Sequence, residues 1–291
     1  MAEQTNLFDT SSRDTQSLTN IQPTARGPRY RRLLAGPAHR AAVARVLLAP
    51  ATILVFLIAW EALVRWQDYP TFILPRPSDV WLKLLITLGD GTLQQHTLTT
   101  LSEILGGLAL GLSTALLLGY LLAKSPMLDR LLSPYIVALQ SFPIIAVAPL
   151  LVIWIHNGTA RTVLISALTL FFPALVSTIV GMRAVEPELL ALMRSLQASR
   201  WQIFTKLEIP SALPMLFGGL KVGVTLSVIG AVIGEFVGAD RGLGFLINLA
   251  RGLLDTPLLF VALFTLVAIA LGLYALVSLI EYRLLAWKRA T

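Results

Sequence analysis

Few side chains in this chain of 291 residues have the types and the spacing that catalysis or metal binding requires. There is no cysteine, and the three histidines, His39, His96 and His156, have no second histidine or carboxylate at metal-ligand spacing. A G-x-x-x-x-G-K-[ST] loop for nucleotide phosphates is absent as well, because glycine never precedes lysine. We therefore predict no catalytic residue, no metal site and no cofactor, and any energy from ATP must come from another subunit.

Ionisable residues inside long apolar runs are the first candidates for function, because a charge in lipid is costly. Glu61 lies one helical turn before Arg65, which predicts an ion pair near the membrane surface. Lys221 is expected to extend toward the inner headgroups as an anchor. Glu235 either forms part of an outer gate or pathway or pairs with Arg241.

A further run, LQSFPIIAVAPL, combines polar residues with two prolines, Pro143 and Pro149. Prolines free backbone carbonyls and bend a helix, which is tolerated in membranes where neighbours or a water-filled cavity satisfy those carbonyls. Gln140, Ser141 and Pro143 are therefore candidates for lining a transport path. Hydrogen bonding between helices is the alternative.

The elements that must position these side chains are membrane-spanning helices. The chain is 56% hydrophobic and only 13% charged, with a mean hydropathy of +0.75. Its apolar runs approach or exceed the roughly 20 residues that cross a bilayer as a helix. We predict an all-α membrane protein with about six spans, near 46–66, 99–123, 133–155, 162–182, 212–236 and 257–280.

Glycines four residues apart recur in two of these spans. The second span contains Gly107 and Gly111, and the fifth contains two further pairs, 219 with 223 and 230 with 234. Such pairs let helix backbones approach closely in lipid. We expect spans two and five in the packed centre, and a homodimer seam is one use of such surfaces.

Basic residues are distributed unevenly between the two sides of the membrane that this span order defines. With the N-terminus inside, sixteen Lys and Arg residues fall on the inner side and six, among them Arg161, on the outer side, while Lys221 lies within the fifth span. The positive-inside rule therefore predicts that both termini are cytoplasmic. The seven arginines in residues 1–45 are suited to attract anionic lipid headgroups. Aromatic residues are not interleaved with them as in nucleic-acid-binding segments, so we predict no nucleic-acid partner.

These patterns give a domain organisation. We predict a disordered basic tail over 1–45, an anchor helix over 46–66, and an external loop over 67–98 with a short amphipathic helix after Asp79. A core follows over 99–285, and 286–291 form a cytoplasmic C-terminus.

One polar stretch, residues 183–214, interrupts the apolar runs on the predicted inner side. Glu186-Pro187 predicts a helix start, with proline where its missing N–H costs nothing. Ser199 and Gln202 predict a second start through an S-x-x-Q capping box. Pro210 and Pro214 predict that the second helix stops. The 183–214 segment is thus expected to be helix, turn, helix and stop, and to dock onto a soluble partner or to lie on the membrane surface.

The end of this segment, Leu207-Glu208-Ile209-Pro210, is similar to the I-x-L-P close of the cytoplasmic loop in ABC importer permeases. The surrounding SLQASRWQIFTKLEIPSALPMLFGGLK resembles the branch that handles nitrate, sulfonates, taurine, riboflavin and thiamine precursors. Two departures stand out. The family's glycine falls on Gln197, and if the turn there is tight without glycine, residues 198–199 are expected to absorb the bend. The family's Glu-Ala-Ala triplet falls on 191–193.

The resemblance, over about residues 75–285, implies a permease subunit with the type I ABC importer architecture. It implies two permease copies or one with a close relative, two ABC ATPase subunits and an external substrate-binding protein. It favours a gate role for Glu235, which precedes a G-A-x-x-G-L-G turn, and places an L-P-x-P stretch at 74–77, either a contact for the binding protein or a plain connector. Within this branch, residues 197–239 most resemble the permeases for riboflavin or thiamine-pyrimidine precursors. The residues it assigns to ATPase coupling are Glu188, Met193, Gln197, Ala198, Ser199, Arg200, Trp201, Phe204 and Pro210.

Two other classes stay open from the sequence. An ATP-independent secondary transporter would need coupling-ion carboxylates at the midplane, for which Glu235 alone is weak support. A membrane scaffold without transport would not need the kinked, polar third span.

Overall fold

A computed structural model describes the backbone of residues 35–286 and the side chains of residues 51–286. The predictions for residues 1–34 and 287–291 lie outside these described residues. The chain divides into a first unit that ends at Ile58 and a second that begins at Ala59. The described part is helical, with α1 (Ala35–Gln67), α2 (Pro77–Gly89), α3 (Thr92–Lys124), α4 (Pro126–Gln140), α5 (Ile144–Trp154), α6 (Gly158–Arg183), α7 (Pro187–Ser195), α8 (Arg200–Ile203), α9 (Ile209–Phe236), α10 (Leu243–Gly252) and α11 (Thr256–Leu284).

The apolar helices agree with the predicted membrane architecture. Among the described residues, α3, α6, the continuous 200–236 helix and α11 are each long and apolar enough to cross a bilayer. The bent pair α4 and α5 supplies a fifth candidate, and α1 covers the first predicted span. The prediction of an all-α protein with about six spans is confirmed. Its boundaries shift, since α1 already begins within the predicted tail and α3 begins at Thr92 rather than near 99.

Helix α6 lies at the centre of the second unit, between α3 and α9. Small residues make this packing close. A Cβ added at Gly107 would clash with the Ser166 side chain, and one added at Gly230 would lie 2.7 Å from the Ser166 Cα. Ser166 Oγ also donates to the Ser227 carbonyl at 2.9 Å, which links α6 to α9 in the buried interior. The glycine-rich faces of α3 and α9 are therefore occupied by α6 of the same chain.

The predicted third span is not one kinked helix. Its residues form α4 and α5, which meet at 92° across the short break at 141–143. Pro143 lacks an N–H and takes an extended conformation before α5, so the ladder of α4 ends at Gln140. Pro149, by contrast, lies within α5. The expected bend is thus a break at Pro143.

The region predicted as an external loop, 67–98, contains α2 and the first turns of α3. The expected short helix is present, and Pro77 starts it after Arg76. Lys83 of α2 pairs with Asp255 at 2.5 Å, which ties α2 to the start of α11. Glu61 forms the predicted pair with Arg65, whose Nε donates at 2.8 Å, and it also accepts from Ser78 at the start of α2.

Lys221 differs from its expected role as a headgroup anchor. Its ammonium group pairs with the Glu281 carboxylate on α11 and lies 5.8 Å from the centre of the Tyr274 ring. A charge inside a membrane helix is costly alone, and a carboxylate on the neighbouring helix offsets that cost. The pair joins α9 to α11.

Candidate functional site: the 183–214 segment and the far end of α9

Both predicted helix starts in the 183–214 segment are confirmed. Glu186 occupies the N-cap position of α7 without a side-chain capping hydrogen bond, and Pro187 lies in the first turn. Ser199 caps α8 through the expected box: its Oγ accepts from the Gln202 N–H at 3.2 Å, and its own N–H donates to Gln202 Oε1 at 2.7 Å. Two otherwise orphaned backbone donors are thereby satisfied, which fixes where the chain turns from α7 into α8.

The turn between the two helices uses Gln197 itself. This residue has φ 54°, the left-handed conformation that usually favours glycine. The Ala198 N–H donates to the Met193 carbonyl at 3.0 Å, and the Gln197 N–H donates to the Arg194 carbonyl at 2.9 Å, which is the Schellman pattern of a helix end. The expectation that residues 198–199 absorb the bend is therefore wrong, because the paired hydrogen bonds hold Gln197 in the position of the family's glycine.

The predicted stop at Pro210 and Pro214 is also wrong. Residues 204–208 form a π-helical turn, in which the Ile209 N–H donates to the Phe204 carbonyl, and α9 follows without a break. The wider turn shifts the hydrogen-bond register, and Pro210 then falls in the first turn of α9, where its missing N–H is tolerated. The segment is consequently continuous with the long membrane helix from Arg200 to Phe236.

The predicted coupling residues lie on one compact helical hairpin. Trp201 is 70% exposed, whereas Phe204 is half-buried, with its ring 5.2 Å from Tyr120 of α3 and 5.7 Å from Trp201. The aromatic pair thus has one ring packed against the helix bundle and one free at the surface. Of the other predicted residues, Met193, Ala198 and Pro210 are half-buried, and Glu188, Gln197, Ser199 and Arg200 are exposed.

Two ion pairs that sequence inspection missed fix the segment to the ends of α3 and α4. Glu208, which is buried, pairs with Lys124 in the last turn of α3. Arg183 pairs with Asp129 of α4 at 2.9 Å and donates to the Leu122 carbonyl at 3.2 Å. The available signal was Glu208 itself, a carboxylate within the otherwise apolar LEIP ending. These contacts connect the hairpin to the membrane helices.

Glu235, the predicted gate residue, lies at the far end of α9 and is buried at 1% exposure. Thr100 Oγ1 donates to it at 2.6 Å, and the Gly244 N–H donates to it at 2.5 Å. Glu103 of α3, also buried, lies close enough to interact electrostatically with the same carboxylate, and its Oε2 has no hydrogen-bond partner among the described residues. The alternative partner, Arg241, is largely exposed and contacts Asp240 at 3.9 Å instead. Glu235 therefore holds the start of α10 against α3.

The turn between α9 and α10 is held by two side chains, Arg161 of α6 and His96 of α3. Arg161 of α6, buried at 3% exposure, donates to the Gly238 carbonyl at 2.5 Å and to the Ile155 carbonyl at 3.3 Å. The Gly242 N–H donates to His96 Nδ1 at 3.0 Å. Sequence inspection placed Arg161 in an external segment and gave His96 no role, since neither has a local partner in sequence.

The other predicted pathway residues lie apart from this cluster. Gln140, Ser141 and Pro143 are exposed at the break between α4 and α5, and Ser141 Oγ donates to the Val137 carbonyl at 3.1 Å. Within the described residues, no hydrogen bond or ion pair joins them to Glu235. The structure thus separates the predicted set into a hairpin, a helix break and a buried cluster at the far end of α9.

The architecture is that of a membrane permease subunit. It combines long apolar helices, a hairpin continuous with α9, and a turn beyond α9 that hydrogen bonds hold in place. Residues 111–288 match the family of binding-protein-dependent transport system inner membrane components, and the chain belongs to this family. The chain is 47% identical over 239 residues to the riboflavin transport system permease protein RibX of Chloroflexus aurantiacus, covering 82% of this chain and 89% of that protein.

Two further relatives have other named solutes. The formylaminopyrimidine transport permease protein ThiX of Halalkalibacterium halodurans is 32% identical, over 81% of this chain and 94% of its own length. The taurine transport system permease protein TauC of Escherichia coli is 30% identical, over 84% and 90%. The predicted branch is confirmed, and the chain is a transporter permease of the ABC importer class rather than a catalytic subunit.

Proposed function

We propose that the 183–214 segment is the surface on which an ABC ATPase subunit docks. The observation that carries this proposal is the exposed Trp201 on a hairpin that ion pairs connect to α3 and α4 and that a Schellman turn shapes. An exposed aromatic residue beside arginine suits a groove on a soluble domain. The proposed contact residues are Glu188, Met193, Gln197, Ala198, Ser199, Arg200, Trp201, Phe204 and Pro210.

The continuity of the hairpin with α9 supports a transmission mechanism. A movement of the ATPase would displace α8, and the π turn and α9 would carry the displacement as one helix to Glu235. Close packing of α9 on α6 transmits such a shift because packed helices deform little. The turn at 237–242, held by His96 and Arg161, would move with α9 and alter the opposite face of the protein.

The proposed assembly has two permease copies, two ATPase subunits and an external binding protein. The charge distribution of the sequence supports cytoplasmic termini in a bacterial inner membrane, with the hairpin on the cytoplasmic side. Gln140, Ser141, Pro143 and Glu235 remain the proposed pathway or gate residues. Because the first three are exposed, they are suited to line a path between permease copies. The region of α2 is the proposed contact for the binding protein.

We propose that the transported solute is a flavin or a related nitrogen heterocycle. The similarity to the riboflavin permease supports this choice, since it exceeds the similarity to the formylaminopyrimidine and taurine permeases. Labelled riboflavin uptake in cells expressing the complete transporter tests the assignment. We expect competition by unlabelled riboflavin and none by taurine; equal competition by taurine would contradict the solute class.

Docking is tested by Trp201→Asp in the complete transporter. A carboxylate in an apolar groove is expected to reduce ATPase co-purification and substrate-stimulated ATP hydrolysis at least tenfold, since hot-spot losses reach about 2 kcal/mol or more. Leu253→Asp is the matched control, because Leu253 is 67% exposed in the turn after α10. Normal ATP hydrolysis in the Trp201 variant would refute the docking proposal.

A further inference from the structure

A cavity of about 660 Å³ lies on the side of the hairpin that faces the bundle. Its lining includes Lys124 at the end of α3, Arg194 at the end of α7 and Arg200 at the start of α8, together with Glu208. The volume falls within the range of about 300–1,000 Å³ typical of ligand sites. The cavity is separate from the exposed face of Trp201 that the docking proposal uses, although Arg200 and Ala198 border both.

The charge of the lining is unbalanced. Glu208 pairs with Lys124, which accounts for the single carboxylate among these residues. Within the described residues, no carboxylate lies within salt-bridge distance of Arg194 or Arg200, so two guanidinium groups remain for an anion. Guanidinium groups bind phosphate oxygens through paired hydrogen bonds, which makes arginine suited to phosphate recognition.

The position of the cavity indicates where the anion comes from. Lys124 and Tyr120 belong to the last turns of a membrane-crossing helix, so the cavity lies at the level of the bilayer surface. Leu190 and Ile203 add apolar walls beside the cations. Basic pockets between membrane helices on the cytoplasmic side bind anionic headgroups, and that leaflet carries the negative surface potential.

We propose that this cavity binds the phosphate headgroup of an anionic phospholipid, with Arg194 and Arg200 as its ligands. The inference rests on the cytoplasmic orientation in the proposed function, and it assigns the hairpin a second partner. A bound headgroup would join α3, α7 and α8 and hold the hairpin in the orientation that it has here.

The test measures the thermal unfolding midpoint of the complete transporter in nanodiscs of phosphatidylcholine, with and without phosphatidylglycerol. We expect phosphatidylglycerol to raise the midpoint of the natural protein. Titration should show about fivefold weaker binding for Arg194→Gln and for Arg200→Gln, since each basic group near a charged surface contributes about this factor. Arg251→Gln, an exposed arginine outside the cavity, should keep the full response.

Two results would overturn the inference. One is an equal response to phosphatidylglycerol in the natural protein and in the double arginine variant. The other is a full response to inorganic phosphate in phosphatidylcholine alone, which would make the ligand a free anion rather than a lipid. Co-purification of the ATPase in the same samples reports on docking separately, so a transporter that retains its ATPase without any lipid response refutes this inference alone.

Discussion

Replacing Gly230 with alanine tests the packing that places α9 on α6. The added Cβ would lie 2.7 Å from the Ser166 Cα and 2.7 Å from Thr169 Oγ1, well inside the 3.4 Å at which ordinary van der Waals contact begins. A backbone atom cannot rotate away, so α6 and α9 must separate. Overpacking of this kind costs about 1–3 kcal/mol.

Gly272 of α11 provides the matched control, because a Cβ added there meets nothing within 4 Å. Alanine in an unhindered helix interior is favoured over glycine by about 0.5–1 kcal/mol. The two variants should therefore differ in unfolding free energy by about 2 kcal/mol or more. Thermal or denaturant unfolding in detergent micelles measures the difference. Equal stability of the two variants would refute the close contact of α9 with α6.

Three further perturbations probe the hairpin, the far end of α9 and the α9–α11 contact, each by unfolding in micelles. Glu235→Ala should cost about 2–4 kcal/mol, because it leaves buried donors without an acceptor, whereas Glu235→Gln should cost about half as much; equal losses would argue against the hydrogen-bond role. Gln197→Gly should change stability by less than about 0.5 kcal/mol, since relief of left-handed strain offsets glycine entropy, while Gln197→Val should destabilise by about 1–2 kcal/mol; a harmless valine would contradict the turn geometry. Lys221→Glu should lower the melting temperature by placing like charges together, and the added change Glu281→Lys should restore most of it; failure of the second change to rescue would show that the pair does not matter.

The local signals in the sequence predicted the hairpin well, because they depend on residues close in the chain. Glu186-Pro187 and the Ser199–Gln202 box act within one helical turn, and both start helices where expected. The helix stop predicted from the prolines was wrong, since the π turn at 204–208 shifts the hydrogen-bond register and removes the break that Pro210 alone would impose. The prediction that residues other than Gln197 would absorb the bend was also wrong, because two backbone hydrogen bonds offset the left-handed strain that glycine would avoid.

Contacts between distant parts of the chain could not be predicted from the spacing of residues in the sequence. Glu235 is separated by more than 130 positions from Thr100 and Glu103, and only the packing of α3 against α9 brings it to them. Arg161 was assigned to the outside by charge counting, yet its guanidinium is buried against two backbone carbonyls. Hydropathy predicts that a segment crosses the membrane, but the partner of each buried polar group depends on helix rotation.

The central claim, that the hairpin contacts an ABC ATPase, is tested most directly by crosslinking. Because the chain has no cysteine, Leu196→Cys and Leu253→Cys each create one labelling site, and the two leucines are 68% and 67% exposed. A thiol-linked photo-crosslinker is activated in membranes that contain the complete transporter. The account predicts an ATPase adduct from position 196 and none from position 253. An ATPase adduct from position 253 with none from position 196 would contradict it.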